Sequence, residues 1–393
     1  MMKKYIIALV AACMGLTVTA QSSAYKMKIN MRDGSKLSVI TDEVDSITFA
    51  KLGKVQATLS ERYKTSTSLG VNIDIDVNAS RVKAVCVPAS QTIGDVKAYV
   101  EKHATVDAPT SYKKAFDFLS PETDYVVYAL AYDTNGLASE VSKLQMTTGK
   151  TADDPFVVNA KNITTTTLDY VVTPKDQGVQ YVVQTTGLDM YRKWCDDGMN
   201  RGDVLQHFIS LWEVLGQMYG QTWLQAMKYD LRTGTYDSEA DYNTQKTLLW
   251  DADQVIITFG MNDQGELVTP IQTTKVRTLA PKHSENEITL TLKKNAWRDV
   301  VIEANVTNDD PYIVNVQSAE AADAHIQAGD LVKWLLNSGT DYSNLSKTGS
   351  QDWEFSPNKG GQKYYGIGIG VDDHGAPTTD PVIIDFVLPN GSF

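Results

Sequence analysis

The sequence is poor in the residues that most often build reactive centres. It contains three cysteines and five histidines, and no two histidines stand in a His-Glu-x-x-His pattern. Zinc catalysis therefore lacks its usual ligand spacing. The chain also lacks a Gly-x-Ser-x-Gly segment, a P-loop and a Gly-x-Gly-x-x-Gly run before a helix. We expect neither a metal nor an organic cofactor, and no enzymatic activity.

Basic residues are also scarce. The 36 Lys and Arg residues face 48 Asp and Glu residues, which leaves a formal charge of −12. A chain this acidic is not drawn to phosphate backbones or anionic lipid, so we do not expect nucleic acid as a partner. Hydrophobic residues make up 42 % of the chain, which is enough to fill ordinary cores and argues against disorder.

Long apolar runs are missing after the first twenty residues. Lys3 and Lys4 precede an apolar stretch over 5–18, and Val18-Thr19-Ala20 supplies the small residues that signal peptidase requires. The stretch is too short to span a membrane comfortably. We therefore predict a signal peptide over residues 1–20, and an exported protein that is periplasmic, at the cell surface or secreted. The alternative is a lipoprotein acylated at Cys13.

Disulfides are not expected to hold the exported protein. Removal of residues 1–20 leaves only Cys86 and Cys195, which fall in different predicted domains, so no disulfide framework is available. Acidic residues follow Cys195 and would raise the pKa of its thiol. We interpret Cys195 as a buried or idle thiol and not as a nucleophile.

Three segments of the chain repeat one pattern. Residues 125–141, 254–270 and 364–380 each alternate apolar residues into an Asp or Asn that stands three positions before a Gly. The pattern predicts a β-hairpin written three times. The turn residues are Asp133 and Gly136, Asn262 and Gly265, and Asp372 and Gly375. Asp372, Asp373 and His374 could together hold a cation, but the repeat favours a turn.

A second repeated motif, Gly-Asp, lies upstream of each hairpin, at residues 94–95, 202–203 and 329–330. Each Asp can accept backbone N–H bonds as an N-cap, so we predict that a helix begins after each of them. Arg201-Gly202-Asp203 spells an integrin-binding tripeptide. Because Gly-Asp recurs elsewhere without an Arg, we interpret Asp203 as a helix cap.

Polar linkers divide the predicted repeats. Segments 147–155 and 279–284 separate three domains, which we place at 54–149, 150–279 and 280–393. Residues 21–53 form a leader in which Arg32-Asp33-Gly34-Ser35 predicts a tight hairpin.

Residues 119–125 read LSPETDY, which resembles the L-x-P-x-T-x-Y corner of fibronectin type III domains, and Thr147-Thr148-Gly149 resembles their usual exit. The corner is complete only in the first repeat, because Gln254 replaces the tyrosine in the second and Tyr364 lacks the preceding motif in the third. The arrangement is similar to tandem fibronectin type III or immunoglobulin-like modules in exported proteins of gut anaerobes.

This resemblance implies a mainly β fold of three tandem immunoglobulin or fibronectin-III-like β-sandwich domains. Helical crossovers are inserted in them, and the longest is in domain two. The family implies adhesion, spacing or ligand binding more often than catalysis, although a fold alone does not determine a function.

Aromatic residues mark the candidate site. Trp212 and Trp334 fall on apolar helix stripes and are expected in cores, whereas Trp353 has polar neighbours. The insert over about 187–249 is longer than the sandwich needs, and such excursions often carry binding residues. We predict a ligand platform in it, with a local mini-core as the alternative. The predicted platform residues are Tyr191, Trp194, Tyr219 and Trp223.

The predicted function is that of a non-enzymatic, exported bacterial binding or adhesion protein with a glycan or protein ligand. One alternative is a glycan-directed hydrolase or its accessory subunit, using Asp196 and Asp197, although neighbouring acids usually point apart. Another is a pilus-like or spacer subunit that donates the strand at 381–388, which more simply closes domain three.

Overall fold

The computed structural model describes residues 26–30, 34–41, 44–46, 55–196, 204–240, 248–337 and 342–391. The chain divides into two compact units, residues 1–53 and 54–393. The predicted signal peptide, the acylation site at Cys13, Asp197 and the tripeptide at 201–203 lie outside the described residues. Within the described part of the chain, every helix is too short or too polar to cross a membrane.

The described residues of the first unit form an antiparallel hairpin. Strand β1 (Lys26–Asn30) pairs with β2 (Lys36–Ile40), and Gly34 lies between them with φ = 84°. Most of both strands is exposed, including the apolar side chains of Ile29 and Leu37.

The second unit holds all the remaining elements. Its strands are β3 (Ala57–Lys64), β4 (Leu69–Ile75), β5 (Ala79–Pro88), β6 (Val106–Ala108), β7 (Tyr112–Phe116), β8 (Asp124–Asp133), β9 (Ser142–Thr147), β10 (Phe156–Lys161), β11 (Asp169–Pro174), β12 (Tyr181–Gly187), β13 (Tyr236–Asp237), β14 (Asp253–Gly260), β15 (Gln272–Arg277), β16 (Ile288–Ala296), β17 (Asp299–Val306), β18 (Tyr312–Ser318), β19 (Gln351–Phe355), β20 (Lys363–Gly370) and β21 (Val382–Val387). Its helices are α1 (Val96–His103), α2 (Leu188–Asp196), α3 (Val204–Tyr219), α4 (Trp223–Met227), α5 (Ala319–Ala328) and α6 (Leu331–Leu336), with 3₁₀ turns at Thr151–Asp153 and Ser238–Ala240.

These strands form successive pairs of antiparallel sheets. The strand orders are β3-β4-β7 with β6-β5-β8-β9, β10-β11-β13 with β12-β14-β15, and β16-β17-β19 with β18-β20-β21. In each pair the first two strands and a later one form one sheet, and the strands between and after them form the other. This is the strand order of a fibronectin-III-like sandwich, so the predicted mainly β fold class is confirmed. We refer to the pairs, with their helices, as repeats one, two and three.

A helical layer covers the outer face of the second sheet in each repeat. In repeat two, Ile256 packs between the two sheets, while Val255, Ile257 and Phe259 pack against the helices. Strand β14 is therefore buried on both faces, and every residue from Gln254 to Gly260 is buried. This explains why apolar residues occupy neighbouring positions in it, from Val255 to Ile257, and face both sides of the sheet.

The three predicted hairpin turns are confirmed and share the same hydrogen bonds. Asp133 Oδ1 accepts the backbone N–H groups of residues 135 and 137 at 2.9 and 3.0 Å. Asn262 and Asp372 accept from the corresponding residues at 2.9–3.0 Å. The glycines that follow have φ values of 77°, 79° and 82°, which glycine adopts without strain. The carboxylate of Asp372 is thus a turn acceptor, and the described residues contain no cluster able to hold a metal ion.

The corner contact is present in all three repeats, although the motif predicted it only in the first. Tyr125 Oη accepts the N–H of Ser120 at 3.0 Å. Gln254 Nε2 donates to the carbonyl of Leu249 at 3.2 Å, and Tyr364 Oη donates to the carbonyl of residue 359 at 3.4 Å. Each bond spans five residues, so a carboxamide replaces the phenol at the same place in repeat two.

The Gly-Asp motifs have different roles in different repeats. Asp95 caps α1 as predicted, because its carboxylate accepts from the N–H of Ala98 at 3.0 Å. Asp330 precedes α6, but its carboxylate contacts His325 Nδ1 at 2.9 Å and does not cap. Gly329, with φ = 71°, instead ends α5, a helix that the sequence did not predict. Asp203 lies outside the described residues.

Two further predictions concern repeat three. Trp353, expected among polar neighbours, is buried in the sandwich, because alternate residues of β19 face the core, and its Nε1 donates to Tyr312 Oη at 3.3 Å. Strand β21 pairs with β20 within its own sheet. The segment at 381–388 thus closes its own sandwich in this structure.

Both described cysteines should resist alkylation in the native protein. Neither Cys86 nor Cys195 forms a disulfide with another described residue. Burial raises the pKa of Cys86 to about 12, and Cys195 is buried in the core of repeat two. Because the thiolate is the reactive form, iodoacetamide at neutral pH should label neither residue until denaturant is added. Peptide mass spectrometry measures this, and rapid native labelling of either residue would contradict the packing described.

Candidate functional site

Helix α2, which begins the insert of repeat two, is anchored on repeat one. Tyr191 Oη donates to Asp117 Oδ2 at 2.5 Å, and Ser68 Oγ donates to the other oxygen of the same carboxylate at 2.5 Å. The ring of Phe118 meets that of Tyr191 edge-on at 6.0 Å. Tyr112 Oη donates to the carbonyl of Cys195 at 3.2 Å. These contacts hold α2 near its middle and at its C-terminal end.

This anchoring corrects the expectation for Tyr191. The residue is only 2 % exposed, and burial, together with the neighbouring Asp117 carboxylate, raises the pKa of Tyr191 well above its usual range. Its ring is therefore not available to a ligand. Tyr191 is a contact between repeats and not part of a platform.

Trp223 also has a structural position. Its ring is stacked on Trp212 at 6.4 Å and lies directly against Gly265 of the hairpin turn, where a Cβ atom would come within 2.1 Å of the indole. Thr222 and Gln225 form a capping box that begins α4 and orients this ring. Trp223 thus helps to pack the helical layer on the turn of its own repeat.

The other two predicted residues are more accessible but lie apart. Trp194 is half-buried and stacks on His207 with ring centroids 4.2 Å apart. Tyr219 is 72 % exposed at the end of α3. Since α3 rises about 1.5 Å per residue, His207 and Tyr219 are roughly 18 Å apart along its axis. The structure does not bring the four predicted aromatics together.

Trp194 lines a cleft between repeats two and three, with a volume of about 620 Å³. One wall comes from repeat two: the end of β12, the start of β14 and helix α2. The other wall comes from repeat three and includes Lys333 and Asn337 at α6. We call this cavity the junction cleft.

Two buried acceptors of the junction cleft have no hydrogen-bond partner among the described residues. They are Oε1 of Gln254, a residue that is 1 % exposed, and Oγ1 of Thr185. Gln254 Nε2 is used by the corner bond to Leu249, which directs Oε1 toward Gly187, where no side chain fills the space. A buried acceptor without a donor costs about 1–3 kcal/mol. Both atoms are closed to water, so a ligand hydroxyl recovers this cost when the wall of the cleft opens slightly to admit it.

Of the charged side chains at the junction cleft, the acid Asp253 has ion-pair partners among the described residues and two lysines do not. Asp253 pairs with Lys275 and Arg277 at 3.4 and 3.2 Å. Burial tends to raise the pKa of Asp253, but the hydrogen bonds from these two cations leave it below its usual value. Lys193 and Lys333, one on each wall, are exposed and have no acidic partner among the residues described.

The junction that forms the cleft is held by hydroxyl groups of one turn. Thr165 Oγ1 donates to Asp372 Oδ2 at 2.8 Å, and Thr166 Oγ1 donates to the carbonyl of His374 at 2.6 Å. Trp250 of repeat two packs against the core of repeat three. The two walls of the cleft are therefore joined by direct contacts.

A second cavity, of about 560 Å³, lies between repeats one and two. Its polar groups largely satisfy one another: Asp154 accepts from the N–H and hydroxyl of Ser66, and Gln272 exchanges hydrogen bonds with the backbone of Phe156. One hydroxyl of this cavity, Thr273 Oγ1, has no partner among the described residues, against two such atoms in the junction cleft, and none of its lining residues is a tryptophan. This cavity therefore offers a ligand less than the junction cleft does.

The junction cleft offers an aromatic surface, hydrogen-bond acceptors and two ammonium groups, which are means of binding. Asp196 and Asp197 of the hydrolase alternative cannot be placed at it, because the Asp196 side chain and all of Asp197 lie outside the described residues. Sequence reasoning found Trp194 and missed Gln254, Thr185, Lys193 and Lys333. The only signal among these was Gln254 at the position of the corner tyrosine.

No protein-family model and no curated protein matches the chain. Among solved structures, it is similar to the FN1–FN3 domains of chicken CNTN1, with 10 % identity and a TM-score of 0.19 over 84 % of this chain and 97 % of that one. It is also similar to the central fibronectin-III array of RIM-binding protein, with 12 % identity and a TM-score of 0.17 over 65 % of this chain and 82 % of that one.

A third similar structure is chitinase ChiA74 from Bacillus thuringiensis, with 14 % identity and a TM-score of 0.19 over 35 % of this chain and 21 % of that one. Likenesses at TM-scores this low say nothing about ligand or activity. The assignment of fibronectin-III-like modules rests on the strand order of the sheets.

Replacing Tyr191 by Phe should lower the free energy of unfolding by about 1–3 kcal/mol, because it removes a buried hydrogen bond to a charged carboxylate. Tyr219→Phe is the matched control, since Tyr219 is exposed, and it should leave stability unchanged. Denaturant unfolding measures both variants. Equal stability of the two would show that the contact with Asp117 does not hold α2.

Proposed function

We propose that the chain is a non-enzymatic, exported bacterial binding or adhesion protein, and that a glycan ligand binds in the junction cleft beside Trp194. A fibronectin-III-like array is compatible with such a binding or accessory role. In this proposal the sandwiches provide a rigid scaffold, and the ligand contacts both repeat two and repeat three in the junction cleft.

The observation that carries the proposal is the combination of Trp194 with unpartnered acceptors in one cavity. His207 holds the indole by stacking, so little side-chain entropy is lost when a ligand packs on it. Gln254 and Thr185 place buried acceptors in the same cleft. A volume of about 620 Å³ lies in the range of small-ligand sites, and a glycan can supply both an apolar ring face and hydroxyl donors.

A spacer role is the second candidate, and the contacts between repeats favour it. Ser66 bonds to Asp154 at one junction, and Thr165 bonds to Asp372 at the other. Contacts of this kind limit bending between modules. A spacer that also binds a glycan is compatible with both sets of observations.

Replacing Trp194 by Ala should weaken glycan binding about tenfold or more, since loss of a stacked aromatic costs on the order of 1–3 kcal/mol. The probe is a glycan array, followed by titration calorimetry with the best glycan. Tyr219→Ala is the matched control and should bind normally, because Tyr219 lies far from the cleft along α3.

Trp223→Ala is expected to behave differently from Trp194→Ala. It should lower the melting temperature, because its ring packs on Trp212 and Gly265, but leave glycan binding by the folded protein unchanged. Trp194→Ala, whose ring also packs on the core of repeat two, should lower the melting temperature and weaken glycan binding as well. The proposal fails if no glycan binds, or if the Trp194→Ala protein binds its glycan as tightly as the parent.

A further inference from the structure

We propose that the junction cleft selects an acidic saccharide, whose carboxylate or sulfate group binds between Lys193 of repeat two and Lys333 of repeat three. The inference rests on the proposed function and names its class of ligand. It concerns residues that the sequence did not single out, on two different repeats.

The charge distribution gives the first reason. The chain as a whole carries a formal charge of −12, yet the cleft presents two exposed ammonium groups without an acidic partner among the described residues. The two described acids that line the cleft have cationic neighbours: Asp253 pairs with Lys275 and Arg277, and Asp189 lies 3.9 Å from Arg192. An anion that enters the cleft therefore meets the two lysines as unpaired cations.

The arrangement of the two lysines gives the second reason. Lys193 lies on α2 of repeat two and Lys333 on α6 of repeat three, and both line the same cavity. A single anionic group between them can accept charge-assisted hydrogen bonds from both, which are stronger than neutral ones. Selectivity for an acidic ligand then requires both repeats, and the junction bonds of Thr165 and Thr166 keep the two walls together.

The unpartnered acceptors distinguish a saccharide from a bare anion. Gln254 Oε1 needs a donor, which a sulfate ion in solution does not supply and sugar hydroxyls do, and the Thr185 hydroxyl can donate to or accept from such a hydroxyl. The exposed part of the Trp194 indole supplies an apolar face for the ring. An acidic sugar can thus pair with the lysines, hydrogen-bond to the unpartnered atoms and stack on the indole at the same time.

The size of the cavity favours a saccharide over a protein partner. A cavity of about 620 Å³ fits a compact ligand, whereas stable protein interfaces cover a much larger, flatter surface. An acidic peptide remains the competing ligand with the same charge, and the experiment includes it as a separate arm.

The test compares four probes on the full-length protein by titration calorimetry: a neutral oligosaccharide, a uronate-containing one, a sulfated one and an acidic peptide. The variants are Lys193→Gln, Lys333→Gln and the matched control Lys143→Gln, an exposed lysine on repeat one. We expect an acidic oligosaccharide to bind best. Each single variant in the cleft should weaken the binding of the acidic oligosaccharide about tenfold or more. The double variant should bind the acidic and the neutral oligosaccharide equally, and the control should bind the acidic one as tightly as the parent protein.

The outcomes separate this inference from the proposed function. If the neutral sugar binds as tightly as the acidic ones and only Trp194→Ala weakens it, the acidic selectivity is wrong and glycan binding in the cleft stands. If the acidic peptide binds best, the ligand class is wrong. If no oligosaccharide binds, or if binding does not depend on Trp194, both proposals fail. Melting curves of each variant establish that loss of binding is not loss of folding.

Discussion

The arrangement of the site depends on the half-buried carboxylate of Asp117. It accepts hydrogen bonds from Ser68 of its own repeat and from Tyr191 of the next one, so a shift of the first helix of the insert breaks a charge-assisted hydrogen bond between the repeats. Trp194 lies less than one helical turn beyond Tyr191 on α2. A contact with repeat one therefore determines where repeat two presents the indole that lines the cleft on its far side, next to repeat three.

The same principle operates at the second junction. The helices that follow the third strand of a repeat pack outward, toward the repeat before it: α2 contacts Asp117, and α6 shares the junction cleft with the end of β12, near Trp250. The helical inserts thus contact the preceding sandwich and also cover a sheet of their own. A platform independent of the sandwiches, which the length of the insert predicted, is not what these helices form. The candidate binding surface that remains is the junction cleft between repeats two and three.

Sequence patterns predicted the features that depend on near neighbours along the chain. The turns at Asp133, Asn262 and Asp372 were predictable because each is made by hydrogen bonds within five residues. Tyr191 was misjudged because its partner is 74 residues away, and composition around a tyrosine does not show whether another repeat will cover it. Lys333 could not be connected with Trp194 at all, because only the packing of one repeat on another places them at one cavity. The domain boundaries expected at 149 and 279 fall between sheets, after β9 and after β15.

The measurement that tests the account most directly is a crystal structure of the full chain soaked with a uronate-containing oligosaccharide. The account predicts a sugar ring against Trp194, a hydroxyl within hydrogen-bond distance of Gln254 Oε1, and the carboxylate between Lys193 and Lys333. A sugar bound at another surface, with the junction cleft empty at saturating concentration, would contradict it.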